Sequence, residues 1–279
     1  MPSRPAKNAE QSRRAILEAA KKEFGELGVD GARTEAIARA AGVNKALLYY
    51  YFTDKEALYG AVLDDVFAMR FQVLGSILES ELPAGEKILR FARQHFDYVS
   101  GEDHYPRLVQ YEMMRAAGGN SPHLPRLIQS FFRPMLARVT AVVRQGIAER
   151  RLRPVDPVHL VLSIIGVNVF HVLSAPVLKG LPLSPQTRHR PLPGTPPVAP
   201  AKSRDLIAER RAATLDFITA SIFTDRDEGI RLAARIVGEP ARAPAAGGGH
   251  DPAGEGKSYA RRMTGGRERP KLSIRGKRS

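Results

Sequence analysis

The chain has 279 residues, a formal net charge of +14 and no cysteine. That length is ample for a buried core, and the missing cysteine excludes a disulfide framework, a thiolate metal site and a cysteine nucleophile. The positive surplus favours polyanions such as nucleic acid or acidic lipid, and part of it belongs to the C-terminal end, where residues 238–279 carry ten basic and four acidic side chains.

Residues 1–9 read as a short basic arm with Arg4 and Lys7. Residues 10–27 predict an amphipathic helix, because Ile16, Leu17, Ala20, Phe24 and Leu27 recur at helical spacing before Gly28 and Gly31. Residues 34–52 read as a helix-turn-helix. The Thr34 hydroxyl is expected to cap the first helix, whose apolar face is Ile37, Ala38 and Ala41. Gly42 supplies the turn, Val43 plugs the corner, and Asn44 caps the second helix. Leu48 and Phe52, four apart, face inward, leaving Lys45, Ala46, Leu47, Tyr49 and Tyr50 largely outward. One ammonium, two phenols and small or apolar side chains suit a DNA groove better than water.

Asp54 caps a further helix, whose stripe of Leu58, Val62, Val66, Met69 and Val73 runs toward Leu82 before Pro83 and Gly85. Helical patterns continue over 88–99, 106–117 and 122–150, the last with Pro134 as an expected kink. Residues 157–178 contain no Asp, Glu, Lys or Arg and are long enough to span a bilayer. His159, Ser163, Asn168, His171 and Ser174 within them favour a buried helix at a core or subunit interface over a membrane span. Residues 176–200 hold eight prolines and read as a proline-rich surface loop. Helices are expected again at 203–223 and 226–237, and the Gly-, Pro- and Arg-rich 238–279 read as a disordered basic tail. No strand-like alternation of useful length occurs, so the fold class is all-α.

Ala41-Gly42-Val43, Leu48-Tyr49, Tyr51-Phe52 and Lys55-Glu56-Ala57-Leu58, with Ile16, Ala20, Phe24, Gly28, Thr34, Ile37 and Ala38 before or within them, resemble the TetR family of bacterial transcriptional regulators. The resemblance covers roughly the first fifth of the chain strongly. It implies a helix-turn-helix DNA-binding domain at 10–56 and an all-helical ligand-binding and dimerisation domain at 57–225. It also implies a homodimer on palindromic double-stranded operator DNA, with residues 157–175 and 203–223 building a four-helix dimer bundle. Lys45 can reach guanine O6 and N7 or a phosphate, Ala46 and Leu47 a thymine methyl, and Tyr49 and Tyr50 phosphates and sugars. Thr34 and Lys55 fall at the motif's phosphate-contact positions, and Asn44 and Leu47 stand where Ser and Thr are common in the family. Arg4, Lys7, Arg13 and Arg14 add sequence-blind affinity.

The ligand-side candidates are polar or aromatic groups on otherwise apolar helices: Phe91, His95, Tyr98, Tyr111, Met114, Phe131, Asn168 and His171. With no cationic cluster among them, a small and largely hydrophobic effector is expected. No glycine-rich phosphate loop and no H-E-x-x-H pattern occurs, so neither catalysis, nor a metal, nor a cofactor is expected. The N-terminus lacks an apolar signal core, and a cytoplasmic protein without a membrane partner is expected. The alternatives are a ligand-independent or activating regulator, and a sequence-nonspecific nucleic-acid-binding protein driven by the basic tail.

Overall fold

The structure is a computed structural model that describes residues 4–101, 104–180 and 206–239. Among these residues every regular element is a helix, with no strand. The elements are α1 (Arg4–Gly31), α2 (Thr34–Ala40), α3 (Lys45–Tyr51), α4 (Lys55–Glu79), α5 (Ala84–Ser100), α6 (Tyr105–Ala117) and α7 (Leu124–Leu127). A π-helical turn (Ile128–Phe132) leads to α8 (Arg133–Ala148), α9 (Pro157–Gly180), α10 (Leu206–Ile222) and α11 (Arg226–Gly238).

Local sequence sets several of these boundaries. Gly28 has φ of 69°, left-handed backbone that breaks α1 one turn before its end and is cheap only without a Cβ. Asp54 and Asp225 each accept hydrogen bonds from first-turn amides and so start α4 and α11. Pro134 cannot donate an amide hydrogen bond, and the chain before it widens into the π-helical turn. The single long helix expected over 122–150 is therefore three segments, α7, the π turn and α8.

The basic arm is shorter than expected, since backbone from Arg4 onward is already helical. Pro5 fits a first helical turn, where its missing N–H would have no partner, and Ala6 and Ala9 favour continuation. Residues 176–180, counted with the proline-rich loop, belong to α9. The rest of that loop, and the tail from residue 240, lie outside the described residues.

Ile16, Ala20 and Phe24 of α1 pack with Ile37, Leu48 and Leu58 to build the core of the N-terminal helices. Leu27, assigned to the same face, is half exposed instead, one residue before the Gly28 break. Phe24 meets Tyr59 of α4 edge to face, ring centres 5.1 Å apart. Helix α4 carries this core onward, its Val62, Val66, Leu74 and Leu78 packing among Leu89, Leu108, Val139 and Val143 of the following helices. The α4 helix thus packs both with the N-terminal helices and with the helices that follow it.

Candidate nucleic-acid interface

Helices α2 and α3 form the expected helix-turn-helix. Gly42 has φ of 68°, and the Val43 amide returns to the Ala38 carbonyl at 3.0 Å, closing the corner. Asn44 Oδ1 accepts from the Leu47 amide at 2.7 Å, capping α3 as anticipated. Leu48 and Phe52 are buried, while Lys45, Ala46, Tyr49 and Tyr50 are exposed and Leu47 is half-buried. Tyr50, 79% exposed, projects furthest into solvent.

Thr34 does not act as the cap. Arg33 occupies the N-cap position of α2 without a side-chain bond, and Thr34 is the first helical residue. Its buried hydroxyl shares a 3.2 Å hydrogen bond with the Tyr49 phenol, which fixes α3 against α2. Lys45 is ion-paired with Glu35 of α2. That pairing lowers the Glu35 pKa and raises that of Lys45, each through the hydrogen bond between them first. Lys55 turns back toward the end of α1 and donates to the carbonyls of Asp30 (3.2 Å) and Ala32 (3.3 Å). A cation on the last carbonyls of a helix is favourable, so Lys55 has a positioning task in the free protein. Arg13 lies 5.4 Å from the centre of the Phe52 ring.

The ligand-side candidates separate into groups. His95 and Asn168 meet: Asn168 Nδ2 donates to His95 Nδ1 at 3.0 Å and to the Ala92 carbonyl at 3.1 Å. The amide nitrogen can only donate, so His95 Nδ1 accepts and its proton sits on Nε2. Burial pushes the His95 pKa down to about 4, leaving a neutral ring. His171 stacks on Phe96 at 5.6 Å, and burial, then Arg210, lowers its pKa. Phe91 is buried on the same helix as His95. Tyr98 lies with Tyr105 around the guanidinium of Arg70, at 5.5 and 4.2 Å. Phe131 stacks on Phe67 at 5.8 Å within a cluster that includes Phe71 and Phe132. Tyr111 rests against Gly28, its phenol donating to the Glu26 carbonyl at 3.4 Å, and Met114 on the same helix is exposed. The eight residues therefore do not line one cavity.

Sequence reasoning missed a polar network around the start of α4. Arg115 of α6 holds the Glu56 carboxylate with two bonds of 3.0 and 3.2 Å, and His123 Nε2 lies 2.7 Å from the same group. Glu112, fully buried, accepts from Ser121 and lies 3.7 Å from Arg115. Arg126 pairs with Asp64 and donates to the Gly60 carbonyl at 3.1 Å.

The apolar helix α9 buries Leu160, Ile164 and Asn168 on one face. Its opposite face presents Val158, Leu162, Phe170, Leu173 and Val177, next to exposed Phe217 of α10. The stretch Pro157–Ser174 is long and apolar enough to cross a membrane, with mean hydropathy 1.7, yet only 17% of it is buried within the chain. A depression between α9 and α10 is lined by Leu160, Ile164, Phe217, Ile218 and Ile222.

Residues 16–62 match the profile of the bacterial regulatory proteins of the tetR family, and residues 85–181 match a tetracyclin repressor-like C-terminal domain. The HTH-type transcriptional regulator RutR of Escherichia coli K12 is 32% identical over 152 residues, 54% of this chain and 69% of that protein. The HTH-type transcriptional repressor NicS of Pseudomonas putida is 38% identical over 85 residues, 30% of this chain and 40% of its own length. A solved gamma-butyrolactone receptor superposes with a TM-score of 0.56 at 19% identity, covering 84% of this chain and all of its own, which is a likeness of fold.

Proposed function

The chain belongs to the TetR family of bacterial regulatory proteins and is a DNA-binding transcriptional regulator, and from that premise we propose that it works as a cytoplasmic homodimeric repressor released by a small, largely hydrophobic ligand. The observation that carries the DNA side is the capped α3 helix with Lys45, Ala46, Tyr49 and Tyr50 on one exposed face. In a dimer two such helices enter successive major grooves about 34–36 Å apart. There Lys45 addresses guanine, Ala46 and Leu47 address thymine methyls, and the two tyrosines, with Thr34, Asn44 and Lys55 behind them, address the backbone.

The uncovered face of α9 supports the dimer. Phe170 and Leu173 gain most by meeting the same face of a second copy, the self-complementary contact of a two-fold pair. Asn168, at the middle of the helix, is hydrogen-bonded into α5, so it is the opposite, apolar face of α9 that is left for the second copy. The aromatic cluster of Phe67, Phe71, Phe131 and Phe132 joins the π turn directly to α4, the element on which an apolar ligand among these helices would act. The relatives are regulators, and catalysis forms no part of the proposal.

The test is selection of bound duplexes from a random-sequence pool, followed by fluorescence anisotropy at about 150 mM salt. A palindromic sequence preferred by ~10³-fold or more over a scrambled duplex is the expected result. Equal binding that collapses with added salt would overturn this reading in favour of sequence-blind binding through the basic tail.

A further inference from the structure

An acidic side chain sits among the candidate DNA contacts. Glu35, in the first turn of α2, is ion-paired with Lys45 at the start of α3, with side chains 61% and 51% exposed. Beside it Thr34 and Tyr49 share their 3.2 Å hydrogen bond, and the Lys45 ammonium lies 5.8 Å from the centre of the Tyr49 ring. One cluster ties α2 to the outward face of α3, and its only carboxylate holds the cation that faces the groove.

We propose that Glu35 is a specificity-determining residue: by occupying Lys45 it weakens sequence-blind docking more than docking on the operator. The proposal rests on the reading of this face as the DNA interface. Sequence-blind affinity comes from lysines and arginines that neutralise phosphates and release counterions. A lysine already neutralised by a neighbouring carboxylate brings little net charge to that exchange. A guanine edge is different. The ammonium has three N–H donors, so Lys45 can keep Glu35 with one and offer the others to O6 and N7. The carboxylate thereby penalises the wrong partner more than the right one, which is how specificity arises from a difference of affinities.

The experiment compares E35Q with wild type in the full-length dimer, on the selected operator and on a scrambled duplex, across about 50–300 mM salt. Glutamine keeps the size and removes the charge. Affinity for scrambled DNA is expected to rise roughly three- to tenfold, with the log–log salt slope steeper by about 0.9 per protomer. Operator affinity changes less, so the ratio between the two falls. In the K45A background, E35Q is expected to leave the salt slope where K45A alone sets it. An unchanged slope and unchanged scrambled-DNA affinity in E35Q, with wild-type helicity and mass, overturns the proposal. A loss confined to the operator also overturns it, because Glu35 then reads a base. Equal binding of both duplexes by the wild-type protein is a separate failure, that of the DNA interface itself.

Discussion

Acidification should expose the cost of burying His95. The ring sits between α5 and α9 with Nδ1 committed to Asn168, and burial holds its pKa at about 4 against an ordinary 6.5. The folded value lies below the unfolded one, so the unfolded chain binds the proton first. Stability from the neutral ring is complete above about pH 6.5 and drains away as pH falls toward 4. Linkage gives a loss of about 2 kcal/mol between about pH 7 and pH 5, and about 3 kcal/mol once both states are protonated. Urea unfolding of wild type and His95→Gln, followed by circular dichroism at one protein concentration, measures this directly. Glutamine keeps an acceptor for the Asn168 amide and removes the titration. The wild type should lose about 2 kcal/mol more than the variant over that interval. His171 titrates in both proteins and cancels from the comparison. Equal losses would refute the assignment of a buried, neutral His95.

Three further outcomes are expected. Lys45→Ala should weaken operator binding by about tenfold without changing the dimer, as loss of one good base contact does; unchanged affinity removes Lys45 from the interface. Phe170→Glu places a carboxylate on the uncovered face of α9 and should give monomers in sedimentation, whereas a persistent dimer locates the interface elsewhere. Asn168→Asp replaces a donor by a buried carboxylate against the Ala92 carbonyl and should cost about 3–5 kcal/mol at neutral pH. The introduced group has a raised folded pKa, so the penalty should shrink as pH falls toward 4. A variant as stable as wild type at neutral pH would mean that α9 does not pack on α5 in this register.

What could be read from sequence was what local chemistry decides. Gly42, the Asn44 cap and the inward pair Leu48 and Phe52 are all determined within a few residues of themselves, and all stand where the spacing puts them. Asn168 and His171 stood out as polar groups on an apolar helix, and both face α5. Their partners, His95 and Phe96, lie more than seventy residues away, beyond the range of periodicity. Glu35 was hidden for a similar reason. Its pairing with Lys45 depends on how α2 crosses α3, and an exposed glutamate in a helical first turn reads as a dipole partner. Arg70 was hidden by its type: a guanidinium in an apolar stripe looks solvated, yet here it lies between the rings of Tyr98 and Tyr105. The π turn before Pro134 had a cue, read only as a kink, because proline marks where a helix must adjust and not how.

The placement of α4 explains how an event among the sensor helices can reach DNA. At its start Lys55 holds the end of α1, Glu56 is clamped by Arg115 and faces His123, and Tyr59 packs on Phe24. Two turns later Phe67 and Phe71 meet Phe131 and Phe132 of the π turn. A ligand that displaced either of those rings would act on α4 through packed aromatic contacts, and α4 meets α1 through the Lys55 hydrogen bonds and the Tyr59–Phe24 pair. The direction of that effect is set only by differential affinity. A ligand that fits the cluster equally well in both arrangements moves nothing, however tightly it binds. One that requires Phe131 to leave Phe67 favours whichever spacing of the two α3 helices that displacement produces, and DNA of fixed groove spacing then loses or gains by the same factor.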